Sequence, residues 1–162
     1  MIRAAIIGLG RWGRSLVTAV QGKSDDIRFV AAHTRTRAAA EHLPADIVYA
    51  GFSLGVLPAQ SLTQTRPGAR GALFFHAALP TSEFESPWPE GVPLQIHMMD
   101  ADPWAEEDRP AAEALVEEVE DGELFLYPGS GHLFADSSLG DYDQQAAGLL
   151  MDRTLHFLRR VG

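Results

Sequence analysis

Val48-Tyr49-Ala50-Gly51-Phe52-Ser53-Leu54-Gly55 is the stretch whose reading decides the fold. A β-branched and aromatic run feeds into Gly-x-Ser-x-Gly, and a helix-compatible segment, Val56 to Thr65, follows at once. That order predicts a strand, a sharp turn and a helix, with the serine standing above the sheet at a helix N-terminus, the layout of a nucleophile elbow. Side chains at Gly51 or Gly55 are expected to collide where the strand and helix nearly touch. Ser53 is therefore the first candidate nucleophile.

Outward from this stretch, short apolar runs alternate with helix-compatible ones. Strands are predicted at Ile2–Leu9, Ile27–His33, Gly71–Phe75, Val92–Met98 and Glu123–Tyr127, besides the run that enters the elbow. Helices are predicted from the glycine-rich turn Gly8-Leu9-Gly10-Arg11-Trp12-Gly13 to Gly22, at Thr36–His42 and at Val56–Thr65. Another begins at Arg109-Pro110, with Ala114, Leu115 and Val119 facing inward, and the last spans Tyr142–Arg160. Residues 79–91, rich in Pro, Ser and Glu, read as a surface loop. The fold class is α/β: a three-layer, doubly wound parallel sheet of order 2-1-3-4-5-6, in a single domain over residues 1–162.

A chain of 162 residues can bury a sizeable core without staples, and it contains no cysteine, which excludes disulfide and thiolate chemistry. No apolar run reaches membrane-spanning length and the first residues lack a signal-peptide layout, so a cytoplasmic protein without membrane partners is expected. The net charge of −9 argues against a nucleic-acid partner. The charge is uneven, however. Arg3, Arg11, Arg14, Lys23, Arg28, Arg35 and Arg37 against Asp25 and Asp26 give residues 1–40 a balance of +5, which leaves −14 for the rest. The step suggests an anion site in the first segment or two segments of different origin.

A serine nucleophile needs a base and a group to orient that base. In this architecture they follow later strands in the order serine, acid, histidine. Asp102 follows the fifth strand and His132 the sixth. His132 is the expected base, with Asp102 holding its tautomer, and the Leu54 N–H is one expected oxyanion donor, with a backbone N–H of the Gly8-Leu9-Gly10 turn as the second. His76 and His97, at or within apolar strands, read as satisfied core or rim residues. No metal-ligand spacing recurs, and no metal is expected.

From about Ala39 onward the chain resembles the dienelactone hydrolase family of α/β-hydrolases. The likeness rests on Leu43-Pro44-Ala45-Asp46, Gly51-Phe52-Ser53-Leu54-Gly55, Gln95-Ile96-His97, Asp102-Pro103 and Tyr127-Pro128-Gly129-Ser130-Gly131-His132-Leu133-Phe134. It implies that nucleophile, acid and base fall on Ser53, Asp102 and His132, with serine where many members carry cysteine.

The opening segment resembles another family. Met1 to Arg14, followed by Phe29-Val30-Ala31-Ala32-His33-Thr34-Arg35-Thr36-Arg37, is similar to the NAD(P)-binding start of glucose-fructose oxidoreductases and inositol dehydrogenases. A Gly-x-Gly-x-x-Gly between a strand and a helix suits a pyrophosphate: Gly8 permits the turn, Gly10 the close approach and Gly13 the packing of the helix. Leu9, Arg11 and Trp12 complete the turn. The second strand ends in Thr34, Arg35 and Arg37 with no acid, which selects the 2′-phosphate of NADP over the ribose of NAD.

Two resemblances in one domain, with a charge step at their boundary, read as a chimera: a Rossmann βαβ unit over residues 1–38 joined to a hydrolase segment over 39–162. The function expected first is NADP(H) binding on a scaffold that keeps a Ser-Asp-His triad, without dehydrogenase turnover. The alternative is a small serine hydrolase of esters or lactones whose glycine-rich turn is only structural.

Overall fold

The computed structural model describes residues 2–7, 17–18, 21–23, 25, 27–33 and 44–162. Among these residues there are six strands: β1 (Ile2–Ile7), β2 (Ile27–His33), β3 (Val48–Phe52), β4 (Gly71–Phe75), β5 (Leu94–Met99) and β6 (Gly122–Tyr127). The three helices with described bounds are α1 (Val56–Thr65), α2 (Ala105–Glu118) and α3 (Gln144–Val161). Strands β3 to β6 form one parallel sheet in the order 3-4-5-6, while β1 and β2 pair with each other in a separate parallel sheet. A single 2-1-3-4-5-6 sheet requires a ladder between β1 and β3. None is formed among the described residues, although Cα atoms of the two strands come within 8 Å. Val17 and Thr18 are helical; the rest of the helix expected there, and the one expected at Thr36–His42, lie outside the described residues.

The period of two in β4 and β5 explains why helices cover both faces. Ala72 and Phe74 of β4, with Leu94, Ile96 and Met98 of β5, pack against Val56, Ala59 and Leu62 of α1 and Ala112 and Leu115 of α2. The alternate residues Leu73, Phe75 and Met99 pack against Ala146, Leu150, Phe157, Leu158 and Val161 of α3. Each fully buried side chain of this kind contributes about 2 kcal/mol. On the α3 face one register row makes a ring ladder across the sheet. Phe52 stacks on Phe75 at 4.3 Å, Phe75 on His97 at 5.2 Å and His97 on Phe125 at 5.4 Å, with the Arg153 guanidinium 4.1 Å above Phe125.

Helix α3 begins where Asp143 accepts a 2.9 Å bond from the Ala146 N–H, a cap worth about 1 kcal/mol. It ends where Arg70 donates two bonds to the Val161 carbonyl, at 3.0 and 2.8 Å. Helix α2 starts earlier than its sequence suggested. The Glu106 N–H bonds the Asp102 carbonyl at 3.0 Å, and Glu106, Glu107 and Asp108 suit the positive end of the helix. Pro110 therefore lies inside the helix, and Ala112 takes the inward place expected of Ala114, which is exposed. Among the described residues no helix is long and apolar enough to cross a membrane.

Candidate active site

Strand β3 ends at Phe52, and Ser53 turns the chain with φ of +50° into the 3-10 turn Ser53–Gly55 that leads to α1. A left-handed backbone on a residue other than glycine costs on the order of 1–3 kcal/mol and persists only where its surroundings enforce it. Gly51 is part of that enforcement. A Cβ there would lie 2.4 Å from the Gly55 carbonyl oxygen and 2.6 Å from the Val56 Cα, so only glycine lets β3 and α1 approach this closely. Gly55 does not share this role: a Cβ built on it meets no described atom within 4 Å. Leu54 follows Ser53 with its side chain 85% exposed.

The acid and the base are delivered together. Beyond their strand ends β5 and β6 stay zipped: Asp100 N–H donates to the Tyr127 carbonyl at 2.9 Å and Ala101 N–H to that of Gly129 at 2.9 Å. Gly129 N–H in turn donates to Asp100 Oδ1 at 3.0 Å. In the order 3-4-5-6, Ser53 and Asp102 follow strands two places apart, about 10 Å at the usual strand spacing. The His132 imidazole, from the loop after β6, fills that gap above the end of β4. Its Nδ1 lies 2.6 Å from Asp102 Oδ2 and its Nε2 lies 2.8 Å from Ser53 Oγ. Asp102 is buried, with 2% of its surface exposed, and its second oxygen accepts the Trp104 N–H at 2.9 Å. The His132 ring keeps a partly open edge.

Two further histidines are buried beneath this relay, and they differ. In β5, His97 bonds the Tyr127 hydroxyl through Nδ1 and Gln95 Oε1 through Nε2, both at 2.8 Å. Burial first, then the charges of Arg153 and His76, hold its pKa down at about 3. That is the satisfied core histidine which its place in an apolar strand suggested. His76, directly after β4, is 1% exposed, has φ of +71° and leaves Nδ1 without a partner among the described residues. The expectation of a satisfied residue does not hold for it. Burial, and after it the charge of a protonated His132, lowers its pKa to about 4.

Trp104 was not singled out in the sequence. It borders the site nonetheless, 74% exposed with its ring 6.2 Å from that of His132. A cavity of about 540 Å³ opens between α2 and the loop after β4, lined by Leu79, Glu83, Asp108 and Ala111 among others. Ser53 and His132 do not line it, so the relay rather than the cavity marks the site. The expected dinucleotide residues Gly8, Leu9, Gly10, Arg11, Trp12, Gly13, Thr34, Arg35 and Arg37 lie outside the described residues.

The sequence model of the Dienelactone hydrolase family matches residues 11–162. No curated protein matches the chain. Among solved structures it is similar to a thermophilic esterase of the planctomycete Thermogutta terrifontis. The propionate-bound form superposes with a TM-score of 0.65 at 21% identity, over 99% of this chain and 84% of that one. Esterase 2 of the same organism, phosphoramylated by tabun, gives 0.66 at 20% identity with the same coverage. At these identities the likeness is one of fold.

The family match corrects the cofactor expectation. It begins at Arg11, within the glycine-rich turn, and takes in Arg11, Trp12, Gly13, Thr34, Arg35 and Arg37, so six of the nine residues expected to hold NADP or NAD belong to a segment matched by a hydrolase family that needs neither. The match runs across residue 38 without a break, and neither the chimera nor a dinucleotide partner finds support. The physical reason is that glycines between a strand and a helix ease packing in any βα turn, whether or not a phosphate is bound.

Proposed function

The chain belongs to the dienelactone hydrolase family, and from that premise we propose that it hydrolyses carboxylic esters or lactones by acyl transfer through Ser53. The observation that carries this reading is the relay of 2.8 and 2.6 Å that links Ser53 Oγ through the His132 ring to the buried Asp102. Ser53 Oγ attacks the carbonyl carbon while His132 Nε2 takes its proton. Asp102 holds the Nδ1–H tautomer and stabilises the imidazolium that forms. The Leu54 N–H faces the developing oxyanion, as the residue after such a nucleophile does. His132 then gives its proton to the departing alkoxide as the carbon–oxygen bond breaks. Water, deprotonated by the same ring, releases the acid from Ser53 and restores the hydroxyl.

The exposed apolar surfaces of Phe52, Leu54 and Trp104 beside the relay favour uncharged substrates. The fold likeness to an esterase seen with propionate and with butyrate makes short acyl groups the first to try. Wild type should hydrolyse p-nitrophenyl propionate and butyrate, and Ser53→Ala should lower kcat/KM by about 10⁴-fold or more. An organophosphate should label Ser53 stoichiometrically, as read by mass spectrometry of the peptide. A variant as fast as wild type, or label on another residue, removes Ser53 from the mechanism.

A further inference from the structure

His76 is the buried ring that the acyl-transfer reading leaves without a task. It stands where β4 ends, between the strand that carries Ser53 and the one that leads to Asp102. The His132 ring bridges those two side chains just above it. Among the described residues four rings surround His76: His132 at 5.7 Å between centroids, Phe134 edge-on at 5.0 Å, Phe52 at 6.1 Å and Phe75 at 6.5 Å. Its backbone is tied down by a 2.8 Å bond from its N–H to the His97 carbonyl.

Two features run against stability here. The left-handed backbone would be free of strain with glycine. The buried Nδ1 has no partner among the described residues, which an apolar ring would not leave behind. Strain of this kind, next to reacting groups and fixed by surrounding structure, points to a task at the site. Burial keeps the ring uncharged, so it does not repel His132 when that ring takes up a proton.

We propose that His76 is a positioning residue for acyl transfer: its ring is the floor that holds the His132 imidazole in line with Asp102 and Ser53 and keeps water from its inner edge. A floor of this kind acts on geometry, and small misplacements of a base cost up to about 10²-fold in rate. The proposal rests on the ester-hydrolase reading, and its test is chosen so that the two can fail separately.

The variants are His76→Asn, because asparagine tolerates the left-handed region, and His76→Gly, which relieves the strain. With p-nitrophenyl butyrate, kcat should fall roughly 10- to 100-fold in both. KM should stay within about twofold, because the floor acts on the base and leaves substrate binding alone. Melting temperature should fall in both variants because the ring leaves a cavity, and relief of backbone strain offsets part of that loss in His76→Gly. In proton NMR the downfield resonance of the His132 Nδ1 proton, shared with Asp102, should broaden or exchange faster in both variants, whatever the turnover. An inactive wild type would remove the hydrolase reading and leave the NMR comparison to decide on His76. Variants with wild-type kcat, or variants that lose kcat with the resonance unmoved, overturn the proposal.

Discussion

The middle of the four-stranded sheet and its carboxyl rim are built from the same strands and obey opposite rules. In the middle the polar side chains that β5 turns to the α3 face are answered: Gln95 bonds His97 and Glu123, and His97 bonds Tyr127. One row further on, Ser53 and His76 take left-handed backbones, and His76 keeps a buried nitrogen unpaired. Polar groups that are completed within the sheet serve the fold. Those left strained or open at its end are available to a substrate or to one another, which is where parallel sheets place their chemistry.

The contrast breaks most sharply at Asp102. Asp102→Asn keeps the shape and removes the charge that an imidazolium at His132 would face. Its kcat for p-nitrophenyl butyrate should fall by about 10⁴-fold, while the melting temperature moves by only a few degrees. The reverse pattern, activity kept and stability lost, would make the rim a structural device like the middle.

Acid tests the middle. In the folded chain His97 and His76 are held at about 3 and about 4, against 6.5 when unfolded. Between those values the unfolded chain takes up protons that the folded chain refuses, so lowering the pH favours unfolding. The stability contributed by keeping these rings neutral is whole above about pH 6.5 and is lost progressively as the pH drops toward 4. From pH 6.5 to 5 the loss is on the order of 2 kcal/mol for each ring. Urea midpoints at pH 7 and 5 should show it, and His97→Gln should remove about half of the difference. Equal midpoints at the two pH values would mean that these rings are not buried in neutral form.

The chain order of Ser53, Asp102 and His132 was enough to anticipate their meeting, because the residue at a strand end is fixed once the strand is recognised. The Gly8 to Gly13 turn shares the strand, glycine and helix grammar of the elbow, yet its reading failed. The elbow motif could be checked against two distant side chains of the right kind, whereas the glycine turn had only arginines nearby, and arginine is common on any surface. His76 escaped for another reason: no residue pattern announces a positive φ on a histidine or an unpaired nitrogen. The start of α2 was misplaced because Pro110 marks a permitted helix start, while the true start depends on the Asp102 carbonyl catching the Glu106 N–H. That contact exists only once the loop has folded.

The elbow itself carries the comparison down to single methyl groups. Its two glycines look equivalent in Gly51-Phe52-Ser53-Leu54-Gly55, but only one faces neighbouring backbone. Gly51→Ala must push the Gly55 carbonyl and Val56 Cα away from β3, and backbone cannot swing aside as a long side chain does. A loss of about 3 kcal/mol is expected, together with lowered activity as Ser53 shifts from His132. Gly55→Ala adds its methyl where no described atom lies within 4 Å, on a backbone already helical, with φ −71° and ψ −13°. It should leave stability unchanged or raise it by about 0.5 kcal/mol, because alanine gives up less chain entropy on folding than glycine. Urea midpoints of the two variants measured side by side decide the matter. Equal losses would mean that strand and helix press on both glycines, and the tight approach at Gly51 would no longer explain the left-handed turn at Ser53.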